Sequence, residues 1–130
     1  MTSLEVAGVR LATPDGTTLF EDLSFELAGG KSLALTGPSG AGKTSLLAAL
    51  GLLAKFRDGS YRLDGEDVTK LSPKRRDQFR AHRVGFVFQG FSLLGHLNAL
   101  DNVAVPLVQR GAPRSVRAAR AVAIDALAAV

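Results

Sequence analysis

The sequence predicts a mixed α/β fold, and three of its segments carry that prediction. Residues 19–27 alternate apolar and polar side chains, which is typical of a strand with one wet face. Residues 37–44 form a glycine-rich turn between a short apolar run and a helical pattern. A second apolar run at residues 84–88 follows a polar helix. Strands and helices in this order are typical of α/β proteins.

The first elements are predicted to be two strands joined by a turn. Val6, Val9 and Leu11 indicate the first strand, and residues 14–16 (Pro-Asp-Gly) supply the turn chemistry that ends it. In residues 23–27 the leucines and the phenylalanine alternate with Ser24 and Glu26. One face of the second strand is therefore expected to be apolar.

The middle of the chain is predicted to contain two further helices and strands. Residues 33–36 predict a short buried strand, and residues 45–50 a helix that follows the glycine-rich turn. Residues 57–60 are expected to turn and residues 61–65 to form a short strand. A Ser-Pro pair at 72–73 predicts the N-cap and first position of a basic helix ending near residue 82.

The last third begins with a strand that is predicted to be buried on both faces. Residues 84–88 are apolar and rich in strand formers, and they run directly into Gln89. A loop at residues 90–98 follows, and a last helix is expected to begin near Pro113, with an apolar side and a basic stripe. The loop carries several apolar side chains, namely Phe91, Leu93, Leu94 and Leu97.

Composition excludes several classes of site. The 130 residues contain no cysteine, which excludes disulfides, thiolate metal sites and thiol nucleophiles. The longest apolar run, residues 46–54, is too short to span a bilayer. The first residues lack the basic and then apolar pattern of a secretion signal. We therefore expect one cytoplasmic domain at most.

The net charge of +4 is concentrated in two basic clusters. We interpret both clusters as solvated helix faces rather than as sites for nucleic acid or anionic membranes. No aromatic residues lie among them to stack on bases, so no nucleic-acid partner is predicted. The clusters are Lys70, Lys74, Arg75, Arg76, Arg80 and Arg83, and then Arg110, Arg114, Arg117 and Arg120.

The glycine-rich turn has the pattern G-x-x-x-x-G-K-[ST], which indicates a nucleotide phosphate site. Glycines let backbone amides approach phosphate oxygens, and the following helix directs its positive end at them. Lys43 would reach the β- and γ-phosphates, and the Thr44 hydroxyl would bind Mg²⁺. A structural turn without a ligand is the alternative. The predicted ligand-binding residues are Gly37, Pro38, Ser39, Gly40, Ala41, Gly42, Lys43, Thr44 and Ser45.

This loop, the strand that ends in Gln89, and residues 93–107 together resemble the ATPase subunit of an ABC transporter. The resemblance covers the whole chain, and softer features such as residues 64–68 resemble the lipoprotein-release and macrolide-export group. It implies a P-loop NTPase fold of the ABC ATPase type, present in part. The implied regions are a core part at residues 1–88, and a Gln loop with the start of a helical subdomain at residues 89–130.

The resemblance also implies function, cofactors and partners. Members of this family couple ATP binding and hydrolysis to transport, with Mg²⁺. Gln89 would contact the metal and the attacking water, a role that its neutral amide oxygen suits. Residues 90–107 would receive a transmembrane permease subunit, and a second ATPase subunit would complete a homodimer in the full-length protein. The chain would lie peripherally on the cytoplasmic face of the cell membrane.

The sequence departs from the family in two respects. The stretch 10–14 has no aromatic residue to stack on adenine, and Phe20 is the nearest candidate. The chain has no L-S-G-G-Q signature and no strand ending in Asp-Glu for the catalytic base. We therefore expect it to end inside the helical subdomain and to bind nucleotide without hydrolysing it alone. We also expect the strands at 33–36 and 84–88 to lack pairing partners, and the chain to associate.

Two alternatives remain at this point. A non-enzymatic adaptor or regulatory module would keep the nucleotide site as a switch and hold a partner with its apolar loop. A small P-loop kinase would share residues 37–44, but it would not explain Gln89 or the Pro106-Leu107 segment.

Overall fold

The computed structural model describes residues 3–90, 92–110 and 115–129, in two compact units that comprise residues 1–77 and 78–130. In the first unit the described residues form a four-stranded antiparallel sheet of order β2-β1-β3-β4. Its strands are β1 (Leu4–Ala12), β2 (Thr18–Leu27), β3 (Asp58–Leu63) and β4 (Glu66–Asp67). The helices are α1 (Lys43–Leu50), α2 (Pro73–Arg83), α3 (Ala99–Gln109) and α4 (Val116–Ala128), with a 3₁₀ turn at Val68–Lys70.

The β1–β2 hairpin confirms the two strands predicted first. The Thr13 amide donates to the Thr17 carbonyl at 2.9 Å, which closes the turn. Both threonine hydroxyls also donate to the Asp15 carboxylate, and these bonds hold the pKa of Asp15 below its ordinary value. The apolar side chains of residues 23–27 are half-buried and the polar ones exposed, which confirms the predicted alternation.

The core of the first unit lies between the sheet and α1. Leu11 of β1 packs against Leu46 and Ala49 of α1, and all three are buried. Half-buried side chains of β2, including Leu19 and Phe20, close the edge of this cluster. The buried face of α1 therefore rests on the hairpin.

The helix predicted at the Ser-Pro pair is confirmed. Pro73 is its first residue, and the Ser72 hydroxyl accepts a long hydrogen bond, 3.4 Å, from the Arg75 amide. The turn predicted at residues 57–60 is wrong, because β3 already begins at Asp58. Gly59 lies so close to β1 that a Cβ on it would be 2.4 Å from the Gly8 carbonyl oxygen. This glycine allows two strands to approach, where the sequence suggested a turn.

The strands predicted at residues 33–36 and 84–88 are absent from the sheet of the described residues. The expectation that they are buried is also wrong, because Leu33 is 49% exposed and Val87 is fully exposed. Within the described part of the chain, neither run belongs to the β1–β4 sheet. An apolar run reaches its buried state only when other strands flank it.

The second unit is built on the packing of α3 against α4. Ala104 of α3 meets Ala119 and Ala123 of α4, and all three are buried. Ser115 caps α4 by accepting from the Ala118 amide at 3.2 Å; Pro113, expected near this start, lies outside the described residues. No helix within residues 3–90, 92–110 and 115–129 is long and apolar enough to cross a membrane.

Candidate functional site

The glycine-rich turn leads directly into α1, whose first residue is Lys43. Gly40 and Gly42 have φ values of 80° and 83°, in the left-handed region that L side chains rarely adopt. Gly42 is the N-cap residue, and the Leu46 amide donates to its carbonyl at 2.9 Å. The two glycines thus turn the chain sharply into the helix.

The N-terminus of α1 is suited to an anion. Gly42 offers no side-chain cap, and the first turn of the helix contains no acidic residue. The first amides of a helix have no partner within the helix, and the helix dipole gives this end a positive potential. A phosphate oxygen could accept hydrogen bonds from these amides.

The Lys43 side chain bridges two carbonyl groups of the turn. Its ammonium group donates to the Gly37 carbonyl at 2.8 Å and to the Pro38 carbonyl at 2.6 Å. An ammonium group has three donor hydrogens, so two carbonyls leave one for another acceptor. Lys43 therefore organises the turn and can still contact an anion at its mouth. Thr44 is exposed beside it, and Ser45 is half-buried.

The floor of the turn comes from β2. A Cβ placed on Gly42 would lie 3.0 Å from Phe20 Cε2 and 3.3 Å from the Leu19 Cβ. Phe20 also packs against the buried cluster between the sheet and α1. The residue considered for adenine stacking is thus a half-buried side chain beneath the loop.

Three contacts surround the C-terminal end of α1 and the residues that follow it. The Tyr61 hydroxyl donates to the Leu50 carbonyl at 2.8 Å, and the Phe56 ring meets the Tyr61 ring edge-on at 5.9 Å. Burial raises the pKa of Tyr61 to about 12. The buried Arg76 guanidinium donates to the Ala54 carbonyl. Only the alternation of Tyr61 with Leu63 hinted that Tyr61 faces inward.

Gln89 lies in the second unit and is exposed. Before it, the Phe86 and Phe88 rings stack with their centroids 5.4 Å apart and 3° between their planes. The residues from 37 to 45 thus come together in the first unit, whereas Gln89 belongs to the other.

The apolar loop after Gln89 is held by Asn102 of α3. Its side-chain oxygen accepts from the Leu94 amide at 2.8 Å, and its side-chain nitrogen donates to nearby carbonyls, including that of Leu97 at 3.1 Å. Leu93 remains 68% exposed. Phe91, which was expected to share this surface, lies outside the described residues.

Sequence and structure comparisons identify relatives of the chain. The family description "ABC transporter" matches residues 20–130. The macrolide export ATP-binding/permease protein MacB of Salmonella typhimurium is 40% identical over 91% of the chain. The MacB protein of Neisseria meningitidis serogroup B is 42% identical over 79%. An uncharacterised ABC transporter ATP-binding protein of Thermotoga maritima is 40% identical over 76%.

Solved structures of an ATP-binding cassette are also similar to the chain. The ATP-binding cassette MJ0796, in a dimeric post-hydrolysis state bound to ADP and Pi, superposes with a TM-score of 0.80 at 26% identity, covering 94% of the chain. The chain spans 54% of that cassette, 42% of the Thermotoga protein and 19% of the Salmonella exporter.

These matches confirm the predicted fold type and the resemblance to the macrolide-export group. Because the family description covers most of its length, the chain belongs to the ATP-binding part of the ABC transporter family.

Proposed function

We propose that residues 37–45 bind ATP with Mg²⁺, and that the chain supplies this site to a transporter ATPase. The supporting observation is the uncapped N-terminus of α1 beside the Lys43 ammonium group, which is already anchored by two loop carbonyls. Two sources of positive potential converge there: the free amides at the start of the helix, which carry the positive end of its dipole, and the lysine. Membership of the family favours this function over a small P-loop kinase.

Each side chain of the site has a proposed task. Lys43 binds the β- and γ-phosphate oxygens while it keeps the loop closed. The exposed Thr44 hydroxyl can serve as a Mg²⁺ ligand, which fits the preference of this ion for oxygen ligands. Bound Mg²⁺ would supply charge neutralisation on the phosphates. Gln89 would orient water and contact the metal through its amide oxygen.

Titration calorimetry of the intact protein with MgATP and MgADP tests the nucleotide site. Lys43→Ala is expected to weaken binding roughly 10- to 100-fold, because a hydrogen bond to a charged group contributes about 1.5–3 kcal/mol. Lys74→Ala is the matched control, since Lys74 is exposed on α2. Unchanged affinity in Lys43→Ala, or no binding to the unaltered protein, would refute the proposal.

Hydrolysis and transport are properties that we propose for the whole protein. Phosphoryl transfer needs positioning and charge stabilisation from several groups together. The chain contributes the loop and Gln89, and we propose that the base and the signature segment come from residues beyond these 130 and from a second subunit. Magnesium-dependent turnover by the isolated chain that disappears in Lys43→Ala would contradict this division of labour.

We further propose that residues 90–107 contact the transmembrane permease part on the cytoplasmic side of the membrane. The exposed Leu93 beside an Asn102-anchored loop supports this, because exposed apolar patches commonly mark interaction sites. Leu93→Cys should cross-link to the permease part, whereas the exposed Asp125→Cys on α4 should not. Equal cross-linking at both positions would remove the support for this surface.

A further inference from the structure

We propose that Phe20 is a positioning residue for the phosphate loop. Its ring, together with Leu19, holds Gly42 and the first turn of α1 in the conformation that directs the amides outward. This inference rests on the proposed nucleotide site at residues 37–45. It assigns a task to a residue of β2 that lies outside the loop motif.

Phe20 and Gly42 are closely packed. A Cβ on Gly42 would lie 3.0 Å from Phe20 Cε2, and 3.3 Å and 3.4 Å from Leu19 Cβ and Cδ1. The ring edge and Leu19 therefore lie directly against the face of Gly42 where other residues carry a side chain. The loop cannot sink toward β2 without meeting the ring.

Because Gly42 is the N-cap of α1, a contact at Gly42 can change the orientation of the first amides of this helix. Gly42 has φ 83° and ψ 11°, and its carbonyl accepts from the Leu46 amide at 2.9 Å. A shift of Gly42 would re-aim the amides that follow it. Displacements of about 1 Å at a positioned group can weaken its action by about two orders of magnitude.

Phe20 itself is fixed from the other side. It pairs across the hairpin with Leu11, and it packs against the buried cluster of Leu11, Leu46 and Ala49. Phe20 thus contacts both this cluster and the turn that starts α1. Phe20, together with Leu19, therefore links the position of the loop to the sheet.

The same packing argues against Phe20 as a platform for a nucleotide base. A stacking platform presents an open ring face, whereas Phe20 is half-buried, with its edge on Gly42 and its ring against the cluster. If Phe20 acts through the loop alone, its loss should affect the polyphosphate group rather than the base.

The test compares three ligands with magnesium: ATP, GTP and inorganic tripolyphosphate, which has no base. In the intact protein, Phe20→Leu is expected to weaken binding of all three by the same factor, roughly tenfold. Phe20→Tyr keeps the ring and should bind the three ligands as tightly as the unaltered protein does. Phe25→Leu is the control for general destabilisation, because Phe25 is a half-buried aromatic on the same strand, paired with Val6 at a distance from the loop.

The outcomes separate the two proposals. Weaker ATP binding with unchanged tripolyphosphate binding would make Phe20 a base contact and overturn the inference. Equal losses of affinity in Phe20→Leu and Phe25→Leu would assign the effect of Phe20 to general stability. That result would overturn the inference as well. If the unaltered protein binds tripolyphosphate but Phe20→Leu binds it equally well, the site stands and the positioning role fails. If the unaltered protein binds none of the ligands, the proposed function fails first.

Discussion

At the scale of single residues, Gly40 and Gly42 share a left-handed backbone but differ in their surroundings. A Cβ on Gly40 would meet nothing within 4 Å, whereas one on Gly42 would meet Phe20 and Leu19. Gly40→Ala should therefore cost only the backbone strain, about 1–2 kcal/mol. Gly42→Ala should cost about 1–3 kcal/mol more through overpacking. Thermal unfolding of the two variants measures this difference, and equal losses would contradict the tight floor beneath the loop.

Tyr61 gives a second prediction, which concerns alkaline pH. Burial raises its pKa to about 12, above the ordinary value of about 10, so the folded state disfavours the phenolate. Its contribution to stability should be full below about pH 10 and lost as the pH rises through about 12. Tyr61→Phe should remove this alkaline loss, and at neutral pH it should cost about 1–3 kcal/mol because the Leu50 carbonyl loses its donor.

Denaturant unfolding between pH 8 and 12 tests the Tyr61 prediction. Tyr61 is the single tyrosine of the chain, which has no tryptophan, so phenolate absorbance reports its ionisation directly. Ionisation near pH 10 in the folded chain would contradict its burial. An alkaline loss that persists in Tyr61→Phe would assign that loss to other groups.

The residues of the loop could be predicted from sequence, and those that support it could not, for a physical reason. Lys43 and its glycines act within one contiguous turn, so their spacing alone indicates the geometry. Tyr61 and Arg76 instead reach carbonyls of Leu50 and Ala54, which belong to other parts of the fold. Arg76 was predicted to belong to a solvated face. Its buried position depends on tertiary packing that no local pattern encodes.

At the scale of secondary structure elements, α3 and α4 are joined by an ion pair that sequence reasoning missed. Arg120 belongs to a cluster with no acid among its members, yet its Nε and Nη2 donate to the two Asp101 oxygens at 2.6 Å and 2.8 Å. Hydrogen bonding to Arg120 lowers the pKa of Asp101 and raises that of Arg120. Asp101 and Arg120 are 19 residues apart in sequence and meet only when the two helices pack.

The Asp101–Arg120 pair predicts a dependence of stability on acidic pH. Because the folded pKa of Asp101 is lowered, its contribution is present above the ordinary aspartate pKa of about 3.9 and lost as the pH falls through the folded value. Arg120 stays charged throughout this range. Asp101→Asn should lower the unfolding midpoint at pH 7 and flatten its acid dependence. The control Asp125→Asn, an exposed acid on α4, should leave both unchanged.

Elements that form through local interactions can be predicted from sequence better than strands that need a neighbouring strand. The start of α2 was predictable because a serine cap and a proline at the first position act within a single turn. The hairpin was predictable from alternation and turn chemistry. The apolar runs at residues 33–36 and 84–88 show strand preference, but preference becomes a strand only when a neighbour supplies hydrogen bonds. Within the described residues neither run has that neighbour.

At the scale of the whole molecule, the order of motifs predicted the fold type better than any single element did. The phosphate loop, the segment before Gln89 and residues 93–107 occur in the order expected for the ABC transporter family, and the comparisons confirm that family. The division into two compact units at residues 77 and 78 falls inside α2. No motif marks that point, because a helix that crosses a boundary keeps its local pattern unbroken.

Both units expose large apolar side chains, and this predicts that the isolated 130 residues associate in solution. Leu33, Leu47 and Leu53 are each about half exposed in the first unit, and Val87 and Leu93 are more exposed in the second. Burying such surface between copies is favourable by about 25 cal/mol per Å². The backbone of residues 33–36 and 84–88, which belongs to no sheet of the described residues, adds hydrogen-bonding groups that a second copy can satisfy.

Sedimentation velocity across a concentration series measures this association. Val87→Lys should weaken it by about tenfold or more, because a charge buried at a contact without a partner is costly. Gln109→Lys adds the same charge at an exposed polar position on α3 and should change association little. A sharp and reversible thermal transition of a monomer at all concentrations would contradict the prediction. The exposed segments at residues 33–36 and 84–88 would then be stable in water without strand partners.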